Sequence, residues 1–63
     1  MDKWGLEQRM TLMRHSISMT DLAKHLGVSP QYVSRVLIGK KHATQGQRER
    51  IEDSIKTMIN RRE

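Results

Sequence analysis

Ser18 with Asp21, then Gly27, then Ser29-Pro30, then Gly39 divide the middle of this chain into two short pieces with a tight corner between them. A serine three residues before a carboxylate is a capping box. Its hydroxyl accepts a backbone N–H while the carboxylate reaches back, so a helix is expected to start at Ser18. Gly27 supplies the left-handed residue that stops it. Ser29 then caps a second helix whose first position is Pro30, where a missing N–H costs nothing. That helix is expected to stop at Gly39. Leu22, Ala23 and Leu26 form the inner face of the first piece. Val33, Val36 and Leu37 form that of the second and leave Gln31, Tyr32, Ser34 and Arg35 facing out. The small Ala23 and Gly27, with Val33 and Val36, mark a close crossing of the two helices.

The flanks also read as helix. Leu6, Met10 and Met13 fall at i, i+4 and i+7, a stripe predicting an amphipathic helix from about Asp2 to His15 with that stripe inward. Ser16-Ile17-Ser18 interrupts it. After a basic connection, Lys40-Lys41-His42-Ala43, Thr44 and Gln47 form another capping box. The helix it opens runs to about Asn60, with Ile51, Ile55, Met58 and Ile59 on its stripe. Met10, Met13 and Met58 are expected in the core and Met19 outside it. Trp4 and Ile38 either close the core or form an apolar patch for a second subunit.

The expected fold is all-α, a compact arrangement of four helices, or five, in a single domain spanning residues 1–63. A chain of 63 residues supports one small core. A deep cofactor pocket does not fit that size, so neither an enzyme nor a cofactor is expected. There is no cysteine, which fits a reducing, cytoplasmic setting. The longest apolar run is Val36-Leu37-Ile38, and the N-terminus lacks a charged-then-apolar signal pattern, so a soluble, unprocessed chain is expected.

The net charge of +5 is unevenly placed. Residues 1–21 balance Lys3, Arg9 and Arg14 against Asp2, Glu7 and Asp21. Residues 49–63 balance Arg50, Lys56, Arg61 and Arg62 against Glu49, Glu52, Asp53 and Glu63. The excess lies between Leu22 and Arg48, where Lys24, Arg35, Lys40, Lys41 and Arg48 occur with no acid. Such a stretch suits a polyanion.

The run from Ser18 to Gly39, with Leu22-Ala23 and Leu26-Gly27-Val28-Ser29 followed by Tyr32-Val33-Ser34, Leu37 and Gly39, resembles the helix-turn-helix of the phage repressor and Cro (XRE) family. The resemblance implies a lambda-repressor-like domain whose motif occupies about 18–39. It also implies that the helix at about 30–38 enters the DNA major groove. By position it marks Pro30, Gln31 and Arg35 as base-facing, with Ser29, Tyr32 and Ser34 beside them, and gives Lys40 and Lys41 a phosphate role. His42 is expected to help that loop. Where many members carry a glutamine that braces a phosphate, this chain has Met19, and Thr20 or Lys24 is the substitute.

The side-chain chemistry points the same way. Glutamine can pair bidentately with adenine and arginine with guanine, so Gln31 and Arg35, one turn apart, suit neighbouring bases. Ser29 and Ser34 can meet a base or a phosphate, and the Tyr32 ring suits a thymine methyl. Pro30 is limited to apolar contact or helix initiation.

Other chemistries have little support. His15, His25 and His42 lack zinc-site spacing, so no metal is expected. No Gly-x-Ser-x-Gly turn accompanies the serines, so hydrolysis is not expected. The resulting expectation is a sequence-specific, double-stranded-DNA-binding transcriptional regulator, Cro-like, from a bacterium, phage or mobile element. It would act as a homodimer on a palindromic operator, in the cytoplasm at the nucleoid. The alternative is an anti-repressor or antitoxin-like module that meets a protein partner on the same fold.

Overall fold

The computed structural model describes residues 3–62, all of them in helices or short connections. Four helices follow in order: α1 (Lys3–Arg14), α2 (Met19–Leu26), α3 (Pro30–Leu37) and α4 (Gln45–Arg62). The expected start of α1 at Asp2 lies outside the described residues. No helix among them is long and apolar enough to cross a membrane.

The caps form where the sequence puts them, although the box expected at Ser18 is made only by the serine, without the return bond to the Asp21 carboxylate. Ser18 Oγ accepts from the Asp21 N–H at 3.0 Å, and Ser29 Oγ from the Tyr32 N–H at 3.2 Å. At α4 the capping box is reciprocal. The Gln47 N–H donates to Thr44 Oγ1 at 3.3 Å, and the Thr44 N–H donates to Gln47 Oε1 at 3.0 Å.

The first three helices end alike. In each, a left-handed residue lets two successive amides turn back onto the last carbonyls. For α2 the left-handed residue is Gly27 (φ +77°), with the Val28 N–H on the Ala23 carbonyl at 3.0 Å. For α3 it is Gly39 (φ +86°), with the Lys40 N–H on the Arg35 carbonyl at 2.9 Å. For α1 it is Ser16 (φ +55°), with the Ile17 N–H on the Leu12 carbonyl at 2.9 Å. Leu12 and Ile17, which this turn brings together, are both buried.

Leu22, Ala23, Val33, Leu37 and Ile51 fill the centre, each no more than 2% exposed. α2 packs on α3 and α4, and α1 packs on α3. Ile55 is buried with them, while Met58 and Ile59 are half-buried against the core as their stripe predicts. Ala43 is buried as well, so the basic connection is pinned at its end by a core residue.

α1 departs from expectation. Its stripe faces outward: Leu6 is 50%, Met10 45% and Met13 78% exposed. The inner face is Gly5 and Leu12, with Trp4 half-buried beside them. The reason is close backbone approach. A Cβ at Gly5 would land on the Leu37 carbonyl oxygen, so α1 meets α3 through a residue with no side chain. Gly27 plays no part in helix crossing, since a Cβ there would meet open space. Met19 is half-buried rather than exposed, Trp4 packs against the core, and Ile38 stays 44% exposed.

Candidate nucleic-acid interface

The α2–turn–α3 unit presents its outer surface through the two caps that set the angle between its helices. With Val33, Val36 and Leu37 held inward, the 3.6-residue repeat turns Gln31 and Arg35 out, one turn apart, and both are exposed. Pro30, Gln31, Ser34 and Arg35 line one shallow, open groove, and its remaining wall is Met19, the first residue of α2. Two side chains able to read bases thus stand beside an apolar wall made by Met19 and Pro30.

The other two residues of the expected base-facing set sit elsewhere. The Ser29 hydroxyl oxygen is engaged as the cap of α3. Tyr32 is half-buried against the core and borders a separate depression with Leu26, Val28, Gln47, Arg50 and Ile51. Lys41 lies over its ring, with Nζ 5.4 Å from the centroid. This aromatic face holds a cation of the basic loop in place.

The expected phosphate-contacting residues fall into two groups. Lys40, Lys41 and His42 follow α3, all exposed, and the Lys40 and Lys41 amides both donate to the Arg35 carbonyl, at 2.9 and 3.1 Å. The basic loop is therefore tied to the backbone of a proposed base reader. Thr20 and Lys24 are exposed on α2. Lys24 borders a hollow with Ile17, Asp21, His25, Met58 and Arg61, away from the groove of Gln31 and Arg35. Among the described residues no three His, Asp or Glu side chains gather in a way that could hold a metal ion.

Two residues of this surface escape a linear reading. Met19 appears there as a missing brace, whereas in space it is a wall of the groove. Arg50 sits between Glu49 and Glu52 in sequence and so drops out of a charge count, yet it borders the Tyr32 depression. Arg48 belongs to the acid-free stretch but lies over the Trp4 ring, with Cζ 5.0 Å from the centroid.

Residues 7–53 match the model of a protein family described as helix-turn-helix. The match covers most of α1, all of α2 and α3, and the first half of α4. No curated protein and no solved structure matches the chain.

Proposed function

The chain belongs to the XRE-type helix-turn-helix family of DNA-binding transcriptional regulators, and from that premise we propose that it reads a specific duplex sequence in the major groove with α3. The observation that carries this reading is the shared groove. Gln31 and Arg35 stand exposed one turn apart in it, with Pro30, Ser34 and Met19 completing its lining. Glutamine and arginine are the side chains that pair bidentately with adenine and guanine, each for about 1–3 kcal/mol of discrimination.

Lys40, Lys41 and His42 contact phosphate beside the reading helix, and Thr20 and Lys24 contact it from α2. Phosphate contacts fix the register without carrying sequence information. Ser29 and Tyr32 support the readers, Ser29 by holding the start of α3 and Tyr32 by holding Lys41. The regulator is Cro-like and binds as a homodimer, so its site is an inverted repeat with half-site centres about 34–36 Å apart.

Selection from a random duplex library at physiological salt tests this. Specific sites are expected to outbind the bulk by about 10³ or more and to share an inverted repeat. An unenriched pool would exclude sequence-specific reading, and a single unrepeated motif would exclude the dimer.

A further inference from the structure

The outward stripe of α1 is apolar without being part of the core. Leu6, Met10 and Met13 are exposed on one face of the helix, above the buried Leu12 and Ile17 and the half-buried Met19, with Arg9 at the edge. This surface lies outside the set of residues that line the groove of Gln31 and Arg35, touching it only at Met19.

We propose that the α1 face is a self-association surface, occupied by the α1 of a second copy lying antiparallel to it. Charge and register together select that occupant. Glu7 and Arg14 are both exposed and lie two helical turns apart on the same flank of the stripe. A two-fold axis passing between residues 10 and 11 sets Glu7 of each copy beside Arg14 of the other, on one side of the seam.

The same register interdigitates the apolar side chains. Along the seam the order becomes Leu6, the second copy's Met13, Met10, the second copy's Met10, Met13, and the second copy's Leu6. Successive side chains are about 1.5–3 Å apart along the axis, as knobs filling alternate gaps. No shift is needed to satisfy both the Glu7–Arg14 pairs and the packing. Arg9 lies on the opposite flank, with its Nε buried and unpartnered, and in this pairing it opposes its own copy. That like-charge encounter weakens the dimer.

The strip is short. Twelve residues of helix rise about 18 Å, so the face falls below the ~800 Å² per partner of a standard interface. The association is accordingly weak, as for small transient interfaces. It names a surface for the dimer proposed above, and it is tested without DNA, so its failure and that of the DNA reading remain separate.

Sedimentation equilibrium of the full chain from about 10 μM to 1 mM is the test, with circular dichroism to confirm that each variant keeps its helix content. The parent is expected to show a monomer–dimer equilibrium. Glu7→Arg alone and Arg14→Glu alone each shift it about tenfold or more toward monomer, because both charge pairs become repulsive. The double variant Glu7→Arg/Arg14→Glu restores the dimer, an equal mixture of the two single variants associates more tightly than either alone, and Arg9→Gln tightens the parent. A chain that is monomeric throughout, a dimer indifferent to the single reversals, or a double variant that fails to recover would overturn the proposal.

Discussion

Trp4 Nε1 donates a 2.6 Å hydrogen bond to Glu52 Oε2, joining the first turn of α1 to the middle of α4 across 48 residues of sequence. Arg48, one turn before Glu52, lies over the same indole ring. α1 is thus clasped to α4 at one point, and the contact lies on the side of α1 away from its apolar stripe. A half-buried bond to a carboxylate contributes about 1–2 kcal/mol. Trp4→Phe and Glu52→Ala, each of which removes the bond, should each lower stability by about that much in urea melts, and the two together by much less than the sum. Additive losses would show that the bond does not clasp the helices.

Gly5 and Gly46 make opposite predictions for the same substitution. Gly5→Ala drives a Cβ into the Leu37 carbonyl, so α1 must move off α3, at a cost of about 1–3 kcal/mol. A Cβ at Gly46, in the first turn of α4, meets open space, so Gly46→Ala should stabilise the fold by up to about 1 kcal/mol. Thermal melts of the two variants should move in opposite directions. A Gly5→Ala variant as stable as the parent would contradict the close approach of α1 to α3.

Ser16 occupies the left-handed position that glycine fills at the ends of α2 and α3. A side chain there costs about 1–2 kcal/mol, against about 0.5–1 kcal/mol for the extra freedom of glycine in the unfolded chain. Ser16→Gly should therefore raise stability by about 0.5–1 kcal/mol, and Ser16→Val should lower it. A destabilised Ser16→Gly protein would mean that interactions of the serine hydroxyl outweigh the backbone strain.

These cases mark what a sequence can reveal. Ser18, Ser29, Thr44 with Gln47, Gly27 and Gly39 are legible because caps act over three to five residues, and the chain itself shows the spacing. The inner faces of α2 and α3 are legible because their core packing follows one period. The face of α1 is not, because periodicity ranks side chains and cannot register a glycine chosen for having none. Ile17 and Ala43 read as connection, yet both are buried, since connections next to a tight turn can be folded inward. For the site, Gln31 and Arg35 are legible from helix period. The Met19 wall and the Tyr32–Lys41 stack need the packing of one element on another.

Met19 and Pro30 together form the apolar wall of the groove, and the thymine methyl is the apolar group that the major groove offers. Met19→Ala should weaken binding to the selected site by about 1 kcal/mol. Replacing the contacted thymine by deoxyuridine should remove the difference between variant and parent. If the variant loses affinity equally on both duplexes, Met19 acts through the fold and not through the methyl.

The claim that α3 reads sequence while the following loop reads charge is tested most directly by comparing the duplexes selected by the parent with those selected by Arg35→Ala and by Lys40→Ala/Lys41→Ala. Arg35→Ala should lose its preference at one base pair of each half-site, worth about 1–3 kcal/mol, and keep the others. The lysine variant should select the same sequence more weakly, with the log–log salt slope shallower by about 0.9 for each phosphate that the protein no longer neutralises. If Arg35→Ala selects an unchanged sequence, or the lysine variant a different one, the division between helix and loop is wrong.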